Sequence, residues 1–119
     1  MTNRNKALVA GGLGVIGRQL VTHLAALPDW EPIGLSRRTP EPDANAQYIA
    51  VDLLDPDDVR AKLGDLHDVT HIFHAAYQEQ PSPQALIDVN LRMLRNLVEV
   101  VADASPALRR IVLYQGAKY

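Results

Sequence analysis

The chain has 119 residues, 47% of them apolar and 22% charged, with a formal net charge of −2 and no cysteine. That length holds one domain at most, and the balance of charge leaves no basic footprint for nucleic acid or an anionic membrane surface. The lack of cysteine excludes a disulfide framework and a thiolate metal site, and no apolar run approaches a membrane span, so a cytoplasmic protein is the expectation.

The first element is a short apolar run, Ala7 to Ala10, suited to a buried strand. Glycines follow at Gly11, Gly12, Gly14 and Gly17, and a helical pattern begins among them. Strand, glycine turn and helix in that order is the context a dinucleotide fingerprint requires. Gly11 suits a tight turn out of the strand. Gly14, with no Cβ, lets a pyrophosphate approach the backbone. Gly17 lets the helix pack closely on the strand. The helix start, Val15-Ile16-Gly17, points its free N–H groups and positive dipole end at the phosphates.

That helix is expected from about Val15 to Leu27, with Ile16, Leu20, Leu24 and Leu27 as its buried stripe. Trp30 to Leu35 reads as a second strand, followed by Ser36-Arg37-Arg38 and a loop over Thr39 to Asn45. Gln47 to Val51 reads as a third strand, leading into Asp52-Leu53. Asp55-Pro56-Asp57-Asp58 is a helix start, with a capping Asp, Pro at the first helical position and acids in the first turn; the helix ends near Gly64. Thr70 to Ala75 is a fourth strand, and Gln78 to Pro83 a polar loop. The longest helix runs from about Gln84 to Asp103. One apolar stripe holds Ile87, Leu91, Leu94, Val98 and Val101, and a second holds Leu86, Met93, Leu97 and Val100. So wide a face covers a sheet and has apolar surface left for a neighbouring helix, a further lobe or a second copy in a homodimer. Ser105-Pro106 stops this helix, and Ile111 to Tyr114 is a fifth strand.

Strands alternating with crossovers predict an α/β fold, a three-layer doubly wound parallel sheet of the Rossmann type, in strand order 3-2-1-4-5. The switch point then falls between the first and fourth strands, and the strands end at Gly11, Ser36, Asp52, Ala75 and Gln115. The chain is expected to be an NAD(P)-binding half that lacks a substrate lobe, the N-terminal part of a larger fold.

Arg37 and Arg38 follow Gly17 by twenty and twenty-one residues, where an NAD enzyme usually carries an acid for the ribose diol. Guanidinium forks match a phosphate bidentately, so the pair points to a 2′-phosphate and to NADP(H), with Ser36 adding a hydroxyl. Asp52 and Leu53 are candidates to flank the adenine, the acid at its amino group and the leucine on its face. Ala75 and Ala76, small and at a strand end, would let a ribose approach. His71 and His74 stand three apart on a strand, hence on opposite faces, so no metal site is expected. His23 and His67 read as surface residues.

Tyr114-Gln115-Gly116-Ala117-Lys118 spells Tyr-x-x-x-Lys, but Tyr114 falls on a strand and Gly116 follows, so periodicity does not bring Tyr114 and Lys118 together.

The spacing Gly11-x-x-Gly14-x-x-Gly17 resembles the T-G-x-x-G-x-x-G of the short-chain dehydrogenase/reductases, with Ala10 in place of the Thr. Val69-Thr70-His71-Ile72-Phe73, the later Asn90-Leu91-Arg92-Met93-Leu94-Arg95-Asn96-Leu97, and the ending Leu113-Tyr114-Gln115-Gly116-Ala117-Lys118-Tyr119 resemble the progesterone 5β-reductase and iridoid synthase-like enzymes. These are atypical extended short-chain reductases whose corresponding motif is L-Q-T-G-x-K-H-Y. The resemblance implies a small-molecule substrate and NADPH-dependent reduction of a carbon–carbon double bond conjugated to a carbonyl. It carries the catalytic lysine onto Lys118. There the lysine holds the nicotinamide ribose and lowers the pKa of a tyrosine that stabilises the enolate oxygen, and that tyrosine lies beyond residue 119. The 119 residues alone are therefore expected to be inactive. Sugar epimerases of the extended class carry Ser-Ser where this chain has Gln115-Gly116, which weighs against an epimerase/dehydratase-like activity. A non-catalytic NADP-sensing protein would share every glycine and arginine.

Overall fold

A computed structural model describes residues 5–12, 15–37, 47–76 and 80–113. Its elements in chain order are β1 (Asn5–Ala10), α1 (Val15–Ala25), β2 (Trp30–Ser36), β3 (Gln47–Ala50), α2 (Pro56–Leu63), β4 (His71–His74), α3 (Pro83–Ala104) and β5 (Arg110–Leu113). All five strands pair in parallel in the order β3-β2-β1-β4-β5, as the alternation of strand and crossover predicts.

β1 is the spine. Ala7 to Ala10 are fully buried, because they lie between β2 and β4 with helices on both faces. Alternation along the strand divides the core in two. Leu8 and Ala10 join Ile33, Leu35, Ile72 and the apolar faces of α2 and α3 in the larger cluster. Ala7 and Val9 join Val21 and Leu24 of α1 in the smaller one, with Trp30, Tyr48 and Phe73 at its margin. Thr70 stitches the start of β4 to β1: its hydroxyl meets the backbone N–H and carbonyl of Lys6 at 2.9 and 3.1 Å.

The helix ends follow their local chemistry. The Asp55 carboxylate accepts from the amides of Asp57 and Asp58 at 3.0 and 3.4 Å, which caps α2 as its sequence predicts. Ser82 caps α3, accepting from the Ala85 amide at 3.1 Å, so the helix begins at Pro83, one position ahead of the expected start. At its other end the Ser105 hydroxyl donates to the Leu66 carbonyl at 2.6 Å and accepts from the Val69 amide at 3.1 Å.

Two helix faces differ from expectation. In α1, Ile16 is half exposed, at 50%, and Val21 takes the buried place. Gly17 sets this rotation: it is the residue that touches the glycine turn, and Gly17, Val21 and Leu24 lie on its line, with Ile16 about 100° round the helix. In α3 the buried residues are Met93, Leu97 and Val101, whereas Ile87 and Leu91 are 62% and 57% exposed. The line carrying Met93 and Leu97 faces the sheet, so the first turns of the other stripe look outward.

Candidate functional site

The carboxyl ends of β1, β2 and β4 converge on the glycine turn. Gly11 has φ +79°, a left-handed conformation that favours glycine, as the tight turn requires. A Cβ on Gly11 would stand 2.8 Å from the Ala76 amide nitrogen and 2.9 Å from the Ala75 carbonyl oxygen. The turn therefore lies directly against the end of β4. The Ala75 amide extends the β1–β4 ladder past the strand, donating to the Ala10 carbonyl at 2.9 Å. The amides of Gly11 and Gly12 both donate to the Leu35 carbonyl, at 3.0 and 2.9 Å, which fastens the turn to β2.

Gly17, in the first turns of α1, is buried against this turn; a Cβ there would meet the backbone of Gly11 and Gly12. No acidic side chain occupies the first turn of α1, so its positive end is uncompensated by the helix itself. Close packing of helix on turn, an open dipole end and small residues at the neighbouring strand end suit an anionic pyrophosphate.

The outer part of the site lies on β2 and β3. Ser36 closes β2, its carbonyl accepting from the Val51 amide at 2.7 Å, and Arg37 follows it, exposed. After β3 the chain turns through Asp52 to Leu54. Asp52 is exposed, and its Oδ1 accepts from the Leu54 amide at 3.0 Å. The Asp52 amide in turn donates to the Asp58 carboxylate at 2.8 Å. That bond, with Lys62 beside it, holds the Asp58 carboxyl below its ordinary range. Leu53 turns its side chain into the larger core, 7% exposed. Its carbonyl accepts from the Asn96 side-chain amide of α3 at 2.8 Å.

The structure thus gathers Gly11, Gly17, Ala75 and Ala76 around one turn and sets Ser36, Arg37, Asp52 and Leu53 along the adjoining strand ends. Ile16 is on the exposed side of α1, and Val15 opens that helix. Gly14, Arg38, Tyr114, Gln115, Gly116 and Lys118 lie outside the described residues. His71 stacks among Trp30 and Phe73, with ring centroids 4.7 and 6.2 Å away, whereas His74 belongs to the alternate face. Among the described residues no group of histidines, cysteines and acids could hold a metal ion. His23 and His67 are exposed.

Three residues of this region have roles that no motif assigned. Gly34 and Tyr48 are register partners on β2 and β3, and the Tyr48 ring fills the space a side chain at Gly34 would need. An isolated glycine inside a strand is the available signal of such an approach. Asn96, a polar residue beside the buried line of α3, is the third.

The family model described as NAD dependent epimerase/dehydratase matches residues 7–116. The chain is 35% identical over 121 residues to a 3-oxo-Δ(4,5)-steroid 5β-reductase of Arabidopsis thaliana, a match that covers 95% of this chain and 31% of the relative. It is 36% identical to an (S)-8-oxocitronellyl enol synthase of Nepeta cataria, again over 95% of this chain and 31% of the relative. The chain therefore spans about a third of the length of these relatives. Among solved structures, a short chain dehydrogenase family protein of Francisella tularensis superposes with a TM-score of 0.76 at 18% identity, over 95% of this chain and 51% of that one, which shows the shared fold.

Proposed function

The chain belongs to the NAD-dependent epimerase/dehydratase family, among the extended short-chain dehydrogenase/reductases, and from that premise we propose that it is the cofactor-binding part of an NADPH-dependent oxidoreductase that reduces the C=C bond of an activated enone. The observation that carries the cofactor reading is the glycine turn at the junction of β1, β4 and α1, where Gly11 and Gly17 leave no room for a Cβ. Arg37 at the end of β2 supports the phosphorylated cofactor over NAD(H). Enone reduction rests on the relatives named as a steroid 5β-reductase and an enol synthase, and on the Gln115-Gly116-Ala117-Lys118 resemblance.

When bound, NADPH would supply the hydride. The chain's own residues do the rest of what this reading asks. Gly14, with no Cβ, would let the pyrophosphate approach, and the start of α1 at Val15, Ile16 and Gly17 would offer it amides. Ser36, Arg37 and Arg38 would take the 2′-phosphate, the guanidinium forks through charge-assisted hydrogen bonds. Asp52 and the Leu53 backbone would border the adenine, since the Leu53 side chain is committed to the core and not to the adenine face, while Ala75 and Ala76 would leave space for a ribose. Lys118 would hold the nicotinamide ribose and, by its charge, make the hydroxyl of the tyrosine that the family resemblance implies more acidic, so that the protonated hydroxyl donates a stronger hydrogen bond to an enolate oxygen.

The family description supports a second reading, epimerase or dehydratase chemistry, for which a nucleotide sugar is the substrate to try. The intact protein, incubated with NADPH and a small activated enone or with a nucleotide sugar, separates the two. Consumption of NADPH with the enone is the expected result, with a severe loss of rate in Lys118→Ala. Turnover of the sugar with no net use of cofactor would replace the reductase reading.

A further inference from the structure

Tyr48 stands on β3 beside Gly34 of β2, and its ring occupies the place of a side chain there: a Cβ on Gly34 would collide with ring atoms Cδ1 and Cε1. The ring lies across β2 toward the end of β1. A Cβ on Gly12 would be 2.9 Å from the Gly34 Cα and 3.1 Å from Tyr48 Cε1. Two glycines thus wall the ring, and a side chain on either would force its neighbours to shift. At its far end the Tyr48 hydroxyl donates to the Gly12 carbonyl at 3.3 Å. The Gly12 amide is already spent on the Leu35 carbonyl at 2.9 Å. Both polar groups of Gly12 are therefore held, one by β2 and one by β3.

We propose that Tyr48 is a positioning residue of the pyrophosphate site: by holding the Gly12 carbonyl toward β3 it keeps that oxygen turned away from the anion. The inference rests on the cofactor reading above. A carbonyl oxygen facing the anion would repel it, and the hydroxyl draws that oxygen toward β3. A tyrosine that only packed would need its ring against Gly34 and not its hydroxyl on the turn.

Tyr48→Phe keeps the ring and removes the hydroxyl. Binding of NADPH to the intact protein is measured by calorimetry beside adenosine 2′-monophosphate, which shares the adenine and the 2′-phosphate but has no pyrophosphate. The expected result is NADPH affinity lower by about three- to tenfold, one neutral hydrogen bond's worth, with 2′-monophosphate affinity unchanged. Gly34→Ala, which pushes the ring aside with the hydroxyl intact, should lower NADPH affinity as well, and the double variant should lose less than the sum of the two. Unchanged NADPH affinity in Tyr48→Phe overturns the proposal, as does an equal loss for both ligands, which would mean packing alone. Wild-type protein that binds no dinucleotide overturns the cofactor reading itself, a result seen before any variant is made.

Discussion

Gly17 rests against Gly11 so closely that a Cβ on Gly17 would lie 2.7 Å from the Gly11 carbonyl carbon and 3.1 Å from the Gly12 Cα. Those neighbours are backbone, held in turn by the Leu35 carbonyl, and cannot swing aside as a flexible side chain would. Gly17→Ala is therefore expected to separate α1 from the turn. Overpacking of this kind costs about 1–3 kcal/mol, read as a lower urea midpoint, with a matching drop in dinucleotide affinity. A variant of native stability and native affinity would show that helix and turn are not locked together.

The second prediction concerns cofactor choice. Replacing Arg37 and Arg38 with alanine should remove most of a preference for NADPH over NADH, since charge-assisted hydrogen bonds contribute about 1.5–3 kcal/mol each. Titration of both cofactors against wild type and variant decides it. Equal wild-type affinities, or tighter NADH, would mean that the arginines are solvated loop residues.

A third expectation follows from Asn96, whose amide holds the Leu53 carbonyl at 2.8 Å. Asn96→Leu leaves that part-buried acceptor unpaired, at a cost of about 1–3 kcal/mol. Hydrogen exchange should quicken across Asp52 to Leu54, and adenosine-containing ligands should bind more weakly. Unaltered exchange there would assign the position of the turn to Asp52 and Asp58 alone.

The fourth is a dependence on pH. Burial holds the His74 imidazole below the ordinary histidine range, and its Nδ1 has no hydrogen-bond partner among the described residues. Burial, followed by the nearby Arg109 and Arg110, does the same to His71. Between the lowered folded value and the unfolded value of about 6.5, the unfolded chain takes up protons that the folded chain does not. This contribution to stability is complete above about pH 6.5 and is lost as the pH falls below it. The urea midpoint should therefore decline on acidification before the carboxylates titrate, and His74→Phe should flatten that decline, with His71→Phe removing more of it. An equally steep decline in the double variant would place its origin elsewhere.

Much of this architecture was legible because its causes are local. The alternation of apolar runs and helical periods dictated a parallel α/β sheet, and the spacing of Gly11 and Gly17 marked the turn. Asp55 and Pro56 announced α2 because a cap acts within its own first turn. What the sequence by itself could not decide was which of several apolar lines meets the sheet. Ile16 and Val21, or Leu91 and Met93, are interchangeable by periodicity; only the contact of Gly17 with the turn, and of α3 with the sheet, selects Val21 and Met93. The supports of the site were hidden for a related reason. Tyr48 and Gly12 are 36 residues apart, and Asn96 and Leu53 are 43 apart. Hydrogen bonds across such separations leave no spacing to read, since strand order and helix placement, rather than proximity along the chain, bring their ends together.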